Sequence, residues 1–253
     1  MNTPKITALE AVSICKSYEN ERIIENIYVN VAEGELVSLL GVSGIGKTTL
    51  FHILSGLEKP DSGSVKIYGE AVTGQAGKVS YMQQKDLLLP FETILHNICM
   101  PLLLRGIPKK QAYQQASQYF EEFGLSGCEK KYPSQLSGGM RQRAALLRAY
   151  LFSDRIMLLD EPFSALDTLT KTSMHQWFSN IIDAHQTATL FITHDIDEAI
   201  ILSDRIYIMS GFPGKITHEL SMDSQNRRSP DFYTTKEFID MKREIIKKIN
   251  DKN

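Results

Sequence analysis

Apolar residues along this chain keep two different periods, and the switches between them mark its elements. From Ile6 to Val31 the pattern is short and strand-like, with Ile27, Val29 and Val31 alternating ahead of an Ala32-Glu33-Gly34-Glu35 turn, as expected at the start of a sheet. Leu36-Val37-Ser38-Leu39-Leu40 is a compact apolar run ending in a glycine-rich loop, after which Leu50, Ile53, Leu54 and Leu57 share one helical face. Strand, loop and helix therefore follow in order. Val65 and Ile67 alternate between Gly63 and Gly69, and Lys78 to Met82 supplies a further strand. Between about Thr93 and Leu151 strand signals vanish while Ala112, Ala116, Phe120 and Phe123 recur at helical spacing, which predicts an inserted helical region. Alternation then resumes: Arg155 to Leu159 extended, Thr168 to His185 helical, Ala188 to Thr193 extended, Asp195 to Ser203 helical, Arg205 to Met209 extended. Such alternation predicts an α/β fold with a mainly parallel sheet carrying helices on its faces. After Leu220 the composition turns polar. Ser221 to Ser229 reads as a linker, and Phe238, Met241, Ile245, Ile246 and Ile249 as one amphipathic helix, with Lys242-Arg243 and Lys247-Lys248 on its solvated side.

Length and charge narrow the class. The 253 residues carry 28 basic and 30 acidic side chains, so no global positive field exists to gather nucleic acid. Cys15, Cys99 and Cys128 contain no CxxC pair; they read as free thiols rather than a disulfide or zinc framework. The most apolar stretch, Leu87 to Leu104, is broken by Pro90, Glu92, His96, Asn97 and Pro101, too interrupted to span a bilayer. The first five residues lack the apolar run of a secretory signal, so the expectation is a chain that stays in the cytoplasm.

The chemistry gathers at strand ends. Gly41-Val42-Ser43-Gly44-Ile45-Gly46-Lys47-Thr48 fits the phosphate-loop pattern and lies between a buried strand and a helix start. Bare glycines at 44 and 46 let successive N–H groups converge on phosphate oxygens at the positive end of the helix. Lys47 would neutralise the β- and γ-phosphates and Thr48 offer its hydroxyl to Mg²⁺. Ile156-Met157-Leu158-Leu159-Asp160-Glu161 delivers two carboxylates at the carboxyl end of a strand, where open parallel sheets bind ligands. Asp160 suits the magnesium shell; Glu161 suits the general base. His194 ends another strand and is either a γ-phosphate sensor or part of a helix start. Leu136-Ser137-Gly138-Gly139-Met140-Arg141-Gln142-Arg143 opens a helix with apolar face Met140, Ala144, Leu147 and Leu151. Ser137 alone is an ordinary N-cap, but the two glycines cost helix stability unless an anion approaches their backbone.

These residues resemble the nucleotide-binding ATPase subunits of ATP-binding-cassette transporters, from about Ile6 to Leu220. The resemblance rests on the Walker A loop at 41–48, Gln84 in a glutamine loop six residues before Pro90, the signature at 136–140, Walker B at 156–161, Ser164-Ala165-Leu166-Asp167 as the D-loop, and the switch His194. It implies a P-loop NTPase core with an N-terminal antiparallel β subdomain and a helical subdomain inserted at about 86–153, the ATPase domain spanning 1–221 and the tail 222–253. It also implies a head-to-tail homodimer that sandwiches two ATP molecules with Mg²⁺. Gly41, Ser43, Gly44, Gly46, Lys47, Thr48 and Thr49 would bind the nucleotide from one subunit and Ser137, Gly138 and Gly139 from the other, with Asp167 of the D-loop also at the nucleotide. Tyr18 would stack on adenine or serve as a packing tyrosine. Gln84 would touch magnesium or water, Thr48 and Asp160 would hold the metal, and Glu161, His194 and Gln84 would form the catalytic group.

The resemblance further implies permease subunits received near Gln84 to Phe91, an extracytoplasmic solute-binding protein acting indirectly, and a peripheral place on the cytoplasmic face of the membrane. The Leu87-Leu88-Leu89 run fits either that docking groove or burial in the helical subdomain. Glu161 to Asp167 and Ser210-Gly211-Phe212-Pro213-Gly214-Lys215-Ile216 look like importers of nitrate, sulfonate and taurine, a group that includes transporters of thiamine-pyrimidine precursors. Phe152-Ser153-Asp154-Arg155 replaces the proline-containing approach to Walker B common in relatives. Export or lipoprotein release, and a soluble cassette acting on ribosomes or DNA, are the competing readings; the latter usually carries two cassettes or a long coiled-coil insert, neither of which this chain has.

Overall fold

The computed structural model describes residues 6–164, 166–222 and 229–250. Its elements are β1 (Thr7–Tyr18), β2 (Glu21–Ala32), β3 (Leu36–Leu40), α1 (Lys47–Leu54), β4 (Ser62–Ile67), β5 (Glu70–Ala71), β6 (Ser80–Met82), α2 (Ile94–Leu104), α3 (Lys109–Ser117), α4 (Gly138–Phe152), β7 (Ile156–Asp160), α5 (Thr168–His185), β8 (Ala188–Thr193), α6 (Ile196–Leu202), β9 (Arg205–Ser210), β10 (Lys215–Ser221) and α7 (Lys236–Asn250). Two sheets result. β2-β1-β4-β5 is antiparallel, and β10-β9-β3-β8-β7-β6 is parallel except for the β10–β9 pair.

The parallel sheet separates two apolar layers because side chains alternate across each strand. Val37, Leu39, Leu158, Leu190 and Ile192 face the antiparallel sheet and α1, packing with Ile14, Ile27 and Phe51. Leu36, Leu40, Leu159 and Phe191 face the other way, into the layer formed by the helices. Both faces are covered, so β3, β7 and β8 are buried at every position, which is why they read as continuous apolar runs rather than alternating ones.

Several expectations shift by a turn. Leu57 is not on the α1 face: the helix stops at Leu54, Gly56 turns the chain at φ +75°, and Leu57 is exposed. Ala112 and Ala116 belong to α3, while Phe120 and Phe123 lie beyond its end yet are buried. Ser221 closes β10 rather than opening a linker; positions 223–228 of that stretch, like Ala165 of the D-loop, lie outside the described residues. In α7, Phe238 and Ile245 are buried and Met241 and Ile249 pack partly, but Ile246 is exposed. Lys242 is not merely solvated, since its Nζ pairs with Asp197 Oδ1 at 2.6 Å.

In the helical insert, Thr93 caps α2 by accepting from the N–H of His96. The fully buried Asn97 accepts from Leu89 N and donates to the carbonyls of Leu89, Glu92 and Thr93. One side-chain amide thus satisfies the backbone of the turn that leads into α2. Within the Leu87-Leu88-Leu89 run only Leu88 is buried; Leu87 and Leu89 are exposed, as is Phe91. Among the described residues no helix is long and apolar enough to cross a membrane.

Candidate active site

Parallel pairing brings the strand ends together. Leu40 aligns with Thr193, Asp160 with Ile192 and Met82 with Leu159, so the residues following each strand emerge at one edge. There Tyr18, Ser43, Gly44, Gly46, Lys47, Thr48, Thr49, Gln84, Asp160 and Glu161 line a cleft of about 420 Å³, with Ile23 and Ile192 as apolar walls.

The loop's shape explains its glycines. Gly46 takes φ +102°, and a Cβ there would fall 2.5 Å from Ile24 Cγ2. Gly41 is needed for a different reason: its Cβ would lie 2.6 Å from the carbonyl oxygen of Met209 on β9. No side chain caps α1, so the N–H groups of its first turn remain available to an anion. Lys47 is buried and donates to the carbonyls of Gly41 and Val42 at 2.7 and 2.8 Å. Burial pushes its ammonium below the usual lysine range, and the charges of Glu161 and Asp160 work against that fall. An incoming phosphate would supply the same favourable charge at closer range.

Asp160 accepts from the Thr48 hydroxyl at 3.1 Å and the Tyr81 hydroxyl at 3.3 Å. Burial raises its carboxyl above the ordinary range and Glu161 adds to the rise, against the two hydrogen bonds and Lys47. A hydroxyl and a buried carboxylate form an all-oxygen donor set, which suits a hard divalent cation completed by phosphate and water. Tyr81, absent from the residues singled out in the sequence, is the second partner of that carboxylate; its only signal was its place in a short strand.

Glu161 follows β7 with φ +46°, a strained backbone for a non-glycine residue. Its N–H donates to Ile192 O, and its carbonyl accepts from both the N–H and the hydroxyl of Ser164. Those contacts aim the carboxylate into the cleft. Oε2 accepts from Gln84 Nε2 at 3.0 Å and Oε1 lies 3.1 Å from His194 Nδ1. Gln84 lines this cleft whereas Gln83 lines a separate groove. Tyr18 donates to Glu58 at 2.5 Å while the Lys16 ammonium lies 5.4 Å from its ring centroid, so the ring is tethered at the mouth of the cleft.

Three predicted nucleotide contacts and the D-loop aspartate are elsewhere. Ser137 caps α4 by accepting from Met140 N at 3.3 Å; Ser137, Gly138 and Gly139 are not among the residues lining the cleft. Asp167 caps α5, accepting from the N–H and hydroxyl of Thr170 at 3.1 and 2.6 Å. A Cβ on Gly138 would find its nearest neighbour only at 3.9 Å, whereas one on Gly139 would lie 3.2 Å from Thr170 Cγ2; packing within the chain therefore asks for a small residue at 139 but not at 138.

The ABC transporter family profile matches residues 24–164. The formylaminopyrimidine import ATP-binding protein ThiZ of Halalkalibacterium halodurans is 43% identical over 96% of this chain and 94% of its own. The aliphatic sulfonates import ATP-binding protein SsuB of Bacillus cereus is 37% identical over 91% of this chain and 90% of its own. A dimeric post-hydrolysis structure of the ATP-binding cassette MJ0796, bound to ADP and Pi, superposes with a TM-score of 0.73 at 26% identity, covering 85% of this chain and 99% of that one.

Proposed function

This chain belongs to the ABC transporter family of ATP-binding subunits, and from that premise we propose that it powers uptake of a small polar solute, of the formylaminopyrimidine, nitrate or sulfonate type, by hydrolysing ATP beneath a membrane permease. ATP hydrolysis and a role in import are properties of the family members it resembles most broadly. The observation that carries the reading is the single cleft holding Lys47, the Thr48–Asp160 pair and Glu161. Of the solutes, a pyrimidine precursor of thiamine is favoured by identity along nearly the full length of both chains.

In this reading the first-turn N–H groups of α1 and Lys47 bind the phosphates, with Lys47 leaving the carbonyls of Gly41 and Val42 to do so. Thr48 and Asp160 would hold Mg²⁺, which neutralises phosphate charge. Glu161 takes the proton of the attacking water, Gln84 and His194 position that carboxylate, and His194 faces the γ-phosphate. Tyr18 packs on the adenine. The glycine-fronted end of α4 meets the nucleotide of a partner copy: Ser137, Gly138 and Gly139 do not line the cleft of their own chain, and each site is complete only across a dimer. Asp167 belongs to the same boundary. ATP then draws two positive helix ends together, and loss of the γ-phosphate releases them.

Permease subunits dock, in this reading, in a second groove of about 390 Å³ lined by Leu57, Gln83, Leu87, Met100, Leu104 and Arg148. Arg148 on α4 donates to the carbonyls of Asp86 and Leu87 at 2.5 and 2.8 Å, and Arg141 pairs with Asp86 at 3.2 Å. The signature helix therefore grips the same segment that carries Gln84 and the groove. An extracytoplasmic solute-binding protein completes the importer, with this chain on the cytoplasmic face. The test is ATP-driven uptake of labelled formylaminopyrimidine into vesicles holding the chain with its permease and receptor. Uptake lost in Lys47→Ala supports the reading; ATP-dependent export of the solute would refute it.

A further inference from the structure

Behind the switch histidine lies a buried ionic network that the reading above does not use. Glu198, in the first turn of α6, is 3% exposed. Its Oε2 accepts from the Thr193 hydroxyl at 2.6 Å, and that hydroxyl accepts from the N–H of Asp195 at 3.0 Å. The residues on either side of His194 are thus tied to that carboxylate, Thr193 directly and Asp195 through the Thr193 hydroxyl. On the other side, Lys171 Nζ lies 2.9 Å from Glu198 Oε1 and 3.5 Å from Asp195 Oδ2. Lys171 stands one turn into α5, four residues after Asp167, whose backbone carbonyl accepts its N–H. One turn further, His175 Nε2 is 3.7 Å from Glu198 Oε1, and His175 Nδ1 is 3.4 Å from the hydroxyl of Tyr233 in the C-terminal segment.

A buried pair of this kind adds little net stability over apolar packing, because desolvation offsets most of the attraction. What it does supply is fixed geometry. Burial would push the Glu198 carboxyl up, yet the neighbouring His175, Thr193 and Lys171 prevail and hold it at about 2; the group stays ionised, with the Thr193 hydroxyl and the Lys171 ammonium donating to it. The backbone from Thr193 to Asp195 then has one setting, and in that setting His194 reaches Glu161.

We propose that Glu198 and Lys171 are positioning residues for ATP hydrolysis, locking the loop that bears His194 to the helix that begins at Asp167 so that the imidazole is held against Glu161. The proposal rests on the reading of His194 and Glu161 as the hydrolytic pair. It makes the aspartate-capped helix and the switch histidine one rigid unit, so that movement at the start of α5 is felt at the catalytic carboxylate.

The test is steady-state ATPase kinetics of the full chain. Lys171→Met and Glu198→Gln each lower kcat about tenfold or more while KM for ATP stays within about twofold, the split expected when alignment rather than binding is lost. Lys171→Arg, which keeps the charge and reach, restores kcat. Thr193→Val, nearly the same shape without the hydroxyl, lowers kcat as well and carries the test if a charge variant does not fold. In a His194→Ala background, Glu198→Gln adds no further loss. Full additivity in that background, or a rise in KM with kcat intact, would overturn the proposal. Unchanged kcat in His194→Ala alone would instead overturn the hydrolytic pair itself.

Discussion

His194 Nδ1 stands 3.1 Å from one carboxylate oxygen of Glu161 while Gln84 donates to the other at 3.0 Å. Both oxygens of the candidate base are thus engaged by side chains from two other strand ends, and the strained φ at Glu161 is held by its bonds to Ile192 and Ser164. If this carboxylate takes the proton from water, replacing it with the amide of Glu161→Gln lowers kcat by about 100-fold or more. Nucleotide affinity measured by calorimetry should stay near wild type, because none of the first-turn N–H groups of α1 proposed to bind phosphate is altered.

Gly41 gives a prediction about stability rather than chemistry. A Cβ at that position would lie 2.6 Å from Met209 O, a backbone atom of β9 that does not yield cheaply. Gly41→Ala should therefore destabilise the chain by roughly 1–3 kcal/mol in chemical denaturation. Gly44→Ala, with nothing within 4 Å of its added methyl, costs only the strain of its positive φ.

Leu104 is 81% exposed at the rim of the second groove. Leu104→Glu places a charge in the groove proposed to receive an apolar permease element, and co-purification with the permease should be lost. Since so exposed a side chain contributes little to the core, the unfolding midpoint should not move measurably; a variant that still co-purifies would remove the groove from the interface.

Acid sensitivity follows from Glu198. Its carboxyl is held at about 2 in the folded chain against an ordinary 4.5, so folding favours the ionised form. The contribution is fully present above about 4.5, declines as the pH falls, and is gone below about 2, amounting to roughly 3 kcal/mol. Urea unfolding between pH 5 and pH 3 should show a shallower loss of stability in Glu198→Gln than in the wild type.

Much of this site was written in local sequence. β3, β7 and β8 are buried on both faces and end at the candidate site, so apolar runs followed by Gly41, Asp160 or His194 marked strand and candidate site together. Weaker elements left weaker traces. β10 is half exposed along an edge; its mixed composition gave no strand signal, and its last residue, Ser221, read as the start of a linker. Gly56 ended α1 before Leu57, a stop that helical spacing alone passed over. Phe120 and Phe123 kept the period of a helix that had already stopped, because both are buried by tertiary packing, Phe123 against Tyr150 of α4 and Trp177 of α5. The Lys171–Glu198 pair and the Tyr81–Asp160 bond join positions far apart in the chain, and no local pattern encodes them. A charged residue at the head of the apolar run Ala199 to Leu202 was the one hint of the first.

The central claim is that nucleotide is bound between two copies, with the phosphate cleft of one chain closed by the α4 terminus of the other. Sedimentation velocity of Glu161→Gln with and without magnesium ATP tests it most directly. A nucleotide-bridged pair requires a monomer that becomes a dimer on adding nucleotide, and that returns to monomer when Ser137→Arg blocks the signature helix. A species that remains monomeric at saturating magnesium ATP, both alone and beside the permease, would contradict it.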